Sequence, residues 1–191
     1  MNAITTTLRR LGVGTAVAAA TLALAGPASA ETRVVLDDKG DLAHGADIKR
    51  VRVVNDDQVR VKVVHDDLVR SYESGSSIEV FLDTDRTRKG PEYVFQGGTF
   101  EGADYGLLRA RGWKAASRQA VPMRCGYVMR LDYAKDTAVI RIDRDCLGAP
   151  GRVRVEVKTG GELVPEGSEP ATTAVDWLGR PRQFTPWVKR G

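Results

Sequence analysis

The chain has 191 residues, of which 29 are basic and 25 acidic, so its formal net charge at pH 7 is +4. The first 30 residues contain two of the arginines and no acid, which leaves 161 residues with a net charge of +2. A chain of this length fits one domain with its own core. The near-neutral charge gives no argument for nucleic acid as a partner, and we expect none.

Residues 1–30 have the three parts of a secretory signal peptide. Arg9 and Arg10 form a positive start, residues 11–25 are apolar, and residues 28–30 have the small-residue pattern of a cleavage site. The apolar run of 15 residues is shorter than the roughly 20 that cross a bilayer. We predict a secreted, extracellular protein with no membrane span after cleavage. The general secretory route is favoured, and the arginine pair leaves twin-arginine export as the alternative.

Alternation of apolar and charged residues predicts β-strands through most of the remaining chain. Branched apolar residues alternate with charged ones in residues 48–54, 59–64, 78–83 and 153–157. Period two is typical of antiparallel strands that are buried on one face. Residues 31–47 are predicted to add an N-terminal strand or arm.

Glycines and prolines shape the rest of the predicted domain. Glycine-rich residues 85–123 favour short strands with long loops. The segment of about residues 161–191, rich in proline and tryptophan, is expected to cover an edge of the sheets with Trp177, Phe184 and Trp187 as anchors. Residues 31–191 are therefore predicted to form a single all-β domain, an antiparallel β-sandwich of jelly-roll-like type.

Two similar polar groups, residues 55–57 and residues 65–67, mark the ends of one predicted strand. The valines before and after residues 55–57 share a face only if Val53 lies opposite Val61, which requires an odd number of loop residues. Residues 55–57 then form the tip of a hairpin. His65 lies at the far end of the second strand, more than about 20 Å away, so the two groups do not form one site.

Cys125 and Cys146 bracket two alternating runs in a chain that we expect to fold outside the cytosol. A turn centred on residues 135 and 136 would set the cysteines opposite each other and Met129 opposite Ile142. We predict one disulfide between the cysteines. A bond that encloses 20 residues stabilises a fold by roughly 3 kcal/mol in the chain-entropy model.

The sequence lacks the patterns of common catalytic and zinc sites. There is no G-x-S-x-G motif, the cysteines are assigned to the disulfide, and only His44 and His65 could serve as a histidine base. Two histidines this far apart do not make a zinc site. We predict that the protein is not an enzyme. A secreted hydrolase with a carboxylate pair stays open as the alternative.

Calcium is the one cofactor for which the sequence offers a candidate. Asp83 and Asp85 end a predicted strand on the same side. An EF-hand would require Asp or Asn at position 87 and Gly at position 88, where Thr87 and Arg88 stand. We therefore expect no cofactor, with calcium at Asp83 and Asp85 as the alternative.

A strand that ends in "FLDTDRTRKGPEY" and leads into an aromatic strand resembles the first half of DOMON-like and family 9 carbohydrate-binding-module-like β-sandwiches. The resemblance covers residues 47–95, and the strand-turn-strand "DRDCLGAPGRVRVEV" is compatible with it. It implies a jelly-roll-like sandwich whose members bind a sugar, haem or no ligand.

The most natural function for these features is a secreted, non-catalytic binding module, expected to be a monomer. Carbohydrate is its expected ligand, with Tyr93, Tyr105 and Trp113 as stacking residues on glycine-rich loops. Binding of an anionic cell-wall polymer is the alternative, because several cations occupy outward strand positions. These are Arg50, Arg52, Arg60, Lys62, Arg152 and Arg154.

Overall fold

The computed structural model of the protein describes residues 30–38, 40–42, 44–121, 124–163 and 172–191. The predicted signal peptide lies almost wholly outside these residues. Strands and short 3-10 turns account for the secondary structure of the described ranges. Within these ranges no helix has the length and apolarity that crossing a membrane requires.

Two antiparallel sheets form the domain, which confirms the predicted all-β sandwich class. The first sheet has the order β1-β2-β3-β9-β8, and the second has the order β11-β10-β4-β5-β6-β7 with β12 paired to β10. The strands are β1 (Glu31–Leu36), β2 (Ile48–Asn55), β3 (Gln58–His65), β4 (Ser77–Asp83), β5 (Tyr93–Gly98), β6 (Tyr105–Arg109), β7 (Gln119–Ala120), β8 (Tyr127–Asp132), β9 (Thr137–Asp143), β10 (Arg152–Leu163), β11 (Thr172–Trp177) and β12 (Val188–Lys189).

The core lies between the two sheets and is built from the apolar half of each alternating strand. Val61 of β3 and Ile140 of β9 lie opposite each other with no exposed surface, and Val155 of β10 is equally buried in the same cluster. Burying a Val or Ile side chain contributes roughly 1.5–3 kcal/mol. Because this face is apolar, the charged residues of the same strands lie on the outer faces.

The β2–β3 hairpin has the predicted register. Val53 pairs with Val61 and Asn55 with Val59, so an odd number of residues lies between the last paired positions. The end of β2 differs from the prediction, since Asn55 is fully buried and its Nδ2 donates to the Val188 carbonyl at 3.1 Å. Asn55 therefore ties the hairpin to β12 instead of standing at its tip.

The predicted register of the β8–β9 hairpin is wrong by two residues. Met129 pairs with Ile140, not with Ile142, because the turn lies one residue earlier in the chain. The Asp132 carboxylate holds the turn there, because it accepts hydrogen bonds from the Ala134 backbone N–H at 3.2 Å and from Lys135 Nζ at 2.8 Å. An even shift keeps every side chain on its predicted face, so the apolar core is the same.

The C-terminal segment packs against the outer face of the second sheet. Trp177 and Phe184, together with Trp113, lie against Phe81 of β4, with 5.7 Å between the ring centroids of Phe81 and Trp177. We call this group the outer aromatic cluster. Trp187 lies apart from it, with the Arg154 guanidinium 4.6 Å from its ring centroid.

Truncating Ile140 tests the position of the core. Ile140 is fully buried between β3 and β8, so Ile140→Ala should lower the free energy of unfolding by about 2–5 kcal/mol in a urea titration. Val34→Ala is the matched control, because Val34 is 55 % exposed and its loss should change stability by less than about 0.5 kcal/mol. Equal effects of the two substitutions would contradict the fold.

Candidate functional site

The outer face of the first sheet is rich in cations. Strands β2, β3, β8 and β9 present six basic side chains on the side away from the core, and we call this surface the basic face. Its cations are Arg50, Arg52, Arg60, Lys62, Arg130 and Arg141. Exposed Val34 and Leu36 of β1 continue the surface at one edge.

Like charges lie directly opposite each other on the basic face. Arg52 pairs across the strands with Lys62, and Arg60 pairs with Arg141. Such pairs destabilise a sheet. In the described part of the chain, none of the six cations takes part in an ion pair. Among the described residues, no ion pair therefore relieves this repulsion, and the nearby Asp143 accepts a hydrogen bond from Gln58 instead.

Two adjoining cavities run along the basic face. One of about 630 Å³ is lined by Lys62, Arg130 and Arg141, and one of about 200 Å³ by Arg50, Arg52 and again Lys62. The Nε of Arg141 is buried and has no hydrogen-bond partner. The acids of the larger cavity are already neutralised, because Arg70 pairs with Glu101 at 2.9 Å and Lys135 with Asp132 at 2.8 Å. The remaining cations are available to an anionic ligand.

The set of outward cations predicted from the sequence divides between the two sheets. Arg152 and Arg154 belong to β10 in the second sheet, so they are not part of the basic face. Arg154 is also neutralised, since its Nη2 lies 2.6 Å from Oδ2 of buried Asp83. Arg130 and Arg141 take their place on the basic face, and their position there follows from the β3–β9 pairing.

The two aspartates predicted to bind calcium have separate partners. Asp83 is fully buried and paired with Arg154, whereas Asp85 accepts hydrogen bonds from the hydroxyl and the backbone N–H of Thr87 at 2.7 and 2.9 Å. The Thr87 hydroxyl, and then its N–H, hold the pKa of Asp85 below its usual range. The contacts do not favour calcium at this pair, which stays a prediction.

The predicted stacking aromatics do not come together. Tyr105, 38 % exposed, is among the residues that line a cavity of about 710 Å³ on the second sheet. Tyr93 is half-buried beside a different cavity, and Trp113 belongs to the outer aromatic cluster. The three aromatic rings therefore do not form one sugar-binding surface, and only Tyr105 remains a candidate for contact with a carbohydrate.

Glu79 and Lys158, which line the 710 Å³ cavity, form an ion pair, whereas Asp104 on the same cavity makes none among the described residues. Glu79 lies between Lys158, whose Nζ is 3.0 Å from its Oε2, and Arg118, whose Nη1 is 2.5 Å from its Oε1. Burial acts to raise the pKa of Glu79, but the hydrogen bonds from Lys158 and Arg118 outweigh it and lower the pKa. The pairing of Glu79 with Lys158 neutralises two of the three charged residues that line this cavity and leaves Asp104, so the cavity suits a ligand without negative charge.

Three carboxylates converge where the β1–β2 connection meets β11. One oxygen from each of Asp41, Asp47 and Asp176 lies within 4.8 Å of the others. Asp47 is buried and accepts from the Gly40 and Leu42 N–H groups at 3.1 Å each. Burial, opposed by the Ile48 N–H and aided by nearby aspartates, raises the pKa of Asp176 to about 7.

We call Asp41, Asp47 and Asp176 the acidic cluster; Asp37 and Glu156 lie outside it, and Glu156 projects from the opposite face of the second sheet, on the side of Phe81. Glu156 of β10 is fully buried, and neither of its carboxylate oxygens has a hydrogen-bond partner. Burial and then the charge of Asp37 raise the pKa of Glu156 to about 9, with a further contribution from Asp176. Oδ1 of Asp37 accepts from the Gly179 N–H at 2.8 Å, while its Oδ2 is buried without a partner.

Neither the cysteines nor His65 provide a reactive group. Cys125 and Cys146 are free thiols that lie 2.7 Å apart, and burial raises the pKa of Cys146 to about 12. His65 is buried at the far end of β3, with its Nδ1 3.0 Å from the Ala46 carbonyl. Burial lowers the pKa of His65 to about 4, so its ring is neutral at pH 7.

Comparison with known proteins identifies neither a family nor a ligand for this chain. No family model matches the chain, and no curated protein matches it. The functional conclusion therefore depends on the charges and cavities of the molecule itself.

Titration of His65 gives a test of its buried position. The folded pKa of about 4 lies below the unfolded value of 6.5, so the stabilisation is complete above pH 6.5 and is lost as the pH falls towards 4. Between pH 7 and pH 4, the wild type should lose about 3 kcal/mol more unfolding free energy in urea than His65→Gln, whose side chain does not titrate. Parallel pH profiles of the two proteins would show that His65 is solvated.

Proposed function

We propose that the protein is a secreted, non-catalytic binding module that uses the basic face to hold an anionic polysaccharide. The observation that carries this proposal is that like charges oppose each other in two cross-strand pairs, Arg52 with Lys62 and Arg60 with Arg141. Such pairs lower the stability of the free protein. A polyanion bound across them would offset the repulsion between the cations, because its negative charges attract each of them.

The spacing of the basic face suits an extended polymer. Neighbouring strands lie about 4.8 Å apart and successive outward residues about 7 Å apart along a strand, so the cations form a regular grid. Arginine binds carboxylate, sulfate or phosphate groups through two parallel hydrogen bonds. Lys62 lines both cavities and so joins them into one track.

The composition of the basic face favours a polysaccharide over a single-stranded nucleic acid. The outward positions between the cations are Val54, Val64, Val128 and Val139. Single-stranded nucleic acids bind chiefly to platforms of aromatic rings on which bases stack. Valines provide no such platform. They also do not obstruct a polymer that is bound through its charges.

Two other functions have some support. A neutral carbohydrate suits the 710 Å³ cavity, in which Glu79 is paired with Lys158 and Tyr105 is partly exposed. A hydrolase with a carboxylate pair would use acids of raised pKa such as Glu156 and Asp176, but these two project from opposite faces of the second sheet. Both of these acids are also buried and neither lines a described cavity, so we place catalysis behind binding. The jelly-roll-like path and the family resemblance stay predictions.

Salt dependence of binding tests the proposal. Polygalacturonate should bind the protein without its signal peptide at 50 mM NaCl and lose affinity steeply towards 300 mM, because bound counterions are released from the polymer. The double variant Arg52→Gln/Lys62→Gln should bind at least about tenfold more weakly and show a salt slope smaller by about 2. Affinity is measured by isothermal titration calorimetry.

The control for this experiment removes the same charge elsewhere. Lys89→Gln/Arg111→Gln changes two exposed cations on the loops of the second sheet and should bind like the wild type. Neutral dextran and single-stranded DNA serve as comparison ligands. Tighter binding of dextran or of DNA, or equal losses in the two double variants, would overturn the proposal.

We also infer that Cys125 and Cys146 form a disulfide in the secreted protein. Their 2.7 Å separation is longer than a bond of about 2.05 Å, but it is closer than non-bonded sulfur atoms normally approach. A bond here would tie the segment before β8 to the 3-10 turn Arg144–Leu147 after β9.

Mass spectrometry tests the disulfide directly. The protein secreted from an oxidising compartment should resist alkylation until it is reduced, and its intact mass should be lower by two hydrogens than that of the reduced protein. Reduction should lower the unfolding free energy by about 3 kcal/mol, and Cys125→Ser/Cys146→Ser should be insensitive to reductant. Alkylation of both cysteines without reductant would show that the bond is not formed.

A further inference from the structure

Strand β1 forms a free edge of the first sheet. It pairs with β2 on one side and, among the described residues, with no strand on the other. The Asp37 N–H donates to the Lys49 carbonyl at 3.3 Å, which fixes the alternation of hydrogen bonds along the ladder. Odd-numbered residues of β1 therefore direct their backbone groups towards β2, whereas Thr32, Val34 and Leu36 direct theirs to the open edge.

The outward backbone groups of β1 have no partner in the described part of the chain. No loop or turn there exchanges a backbone hydrogen bond with Thr32, Val34 or Leu36. The side chains of Val34 and Leu36 are also 55 % and 73 % exposed, on the outer face of the sheet. Edge strands are often protected from pairing by a proline or a bulge, and β1 contains neither. Strand β1 is therefore suited to pair with a further strand.

Backbone geometry limits how two copies of β1 can pair with each other. In an antiparallel pair the outward residues must lie opposite each other, so an even-numbered residue faces an even-numbered one. One such register places Val34 of one copy opposite Leu36 of the other, and Val35 opposite Val35. The exposed apolar residues then cover each other on the outer face. The half-buried Val35 side chains meet on the inner face, where each already packs against the core.

Charge selects this register over its neighbours. It sets Arg33 of each copy opposite Asp37 of the other, on the inner side of the strand. A shift by one step in one direction sets Glu31 opposite Asp37, and a second step sets Arg33 opposite Arg33. A shift in the other direction sets Asp37 opposite Val35. Opposite charges in facing positions stabilise an antiparallel pair, and like charges destabilise it.

Asp37 lacks a cation in the single copy. Its Oδ1 accepts from the Gly179 N–H at 2.8 Å, whereas its Oδ2 is buried without a donor. Burial raises the pKa of Asp37, and the Gly179 N–H offsets only part of this effect. Within the described ranges no lysine or arginine forms an ion pair with Asp37. Arg33 pairs only with Glu31, in an exposed ion pair that is easily exchanged, so Arg33 of a second copy can supply the missing charge.

We propose that the protein forms a two-fold dimer in which the β1 strands of two copies pair antiparallel, with Val34 opposite Leu36 and Arg33 opposite Asp37. The two Val34–Leu36 positions would exchange about four backbone hydrogen bonds. The two five-stranded sheets then join into one continuous sheet. This dimer replaces the monomer expected from the sequence, which does not show that β1 lies at an edge.

Pairing through β1 keeps the outer faces of both sheets on the same side, because residues that oppose each other across an antiparallel pair share a face. The two basic faces would then lie on one surface, joined through the Val34–Leu36 contacts. A long polyanion would contact both copies at once and bind more tightly than a short one, without any new type of contact. This consequence rests on the proposed function, whereas the dimer itself does not.

Sedimentation velocity tests the dimer in the absence of any polymer. A contact through one short strand is small, so the protein without its signal peptide should pass from monomer to dimer at concentrations between about 1 µM and 1 mM. Leu36→Glu changes an exposed residue opposite Arg50, is expected to fold, and should raise the dissociation constant at least about tenfold. Val175→Glu is the matched control, because Val175 is an exposed apolar residue on β11, an edge strand of the second sheet, and this variant should dimerise like the wild type.

An exchange of charges tests the register. Arg33→Glu alone sets acids opposite each other and Asp37→Lys alone sets cations opposite each other, so each variant should be largely monomeric. An equimolar mixture should form a heterodimer, because every facing pair then has opposite charges. Circular dichroism checks that each variant is folded, and the comparison of Leu36→Glu with Val175→Glu decides the proposal by itself if Asp37→Lys does not fold.

Three results would overturn the proposal. They are a wild type that stays monomeric at every concentration, a dimer that is lost in Val175→Glu but kept in Leu36→Glu, and a mixture of the two folded charge variants that stays monomeric. A polymer-binding result cannot substitute for any of them, so failure of the dimer and failure of the proposed function are distinguishable.

Discussion

Burial of one apolar face of each sheet against the other is the constraint on which the rest of the structure depends. Val53, Val61 and Ile140 are fully buried, and because side chains alternate along a strand, their neighbours must point outwards. The alternate positions of the first sheet are occupied mostly by cations and valines. The same alternation that forms the core therefore creates a charged outer surface on a protein with little net charge.

The two charged regions have opposite signs and lie on different parts of the fold. Opposed cations such as Arg60 and Arg141 repel across neighbouring strands, and the acidic cluster around Asp176 repels within a buried space. Both regions lack protein counter-ions among the described residues, whereas Glu79 and Asp83 on the second sheet are neutralised. The basic face therefore suits a ligand of the opposite sign.

Local features could be predicted from the sequence, and features set by strand pairing could not. The alternation around Val53 and Val61 predicts the strands, their inner face and the β2–β3 register. The β8–β9 register depends on how Asp132 caps the turn, and a shift by two residues leaves the hydrophobic pattern unchanged. Arg141 joins the basic face only through the β3–β9 pairing. Asp41 and Asp176 are separated by most of the chain, so no spacing in the sequence indicates that they meet.

The most direct test of the central claim, that the basic face retains uncompensated positive charge, is the unfolding free energy in urea at 20 and 500 mM NaCl without any polymer. Salt should stabilise the wild type by screening the repulsion, and this gain should be smaller in Arg60→Gln, which is itself expected to be more stable at low salt. The same salt response in both proteins, or a less stable Arg60→Gln, would contradict the account.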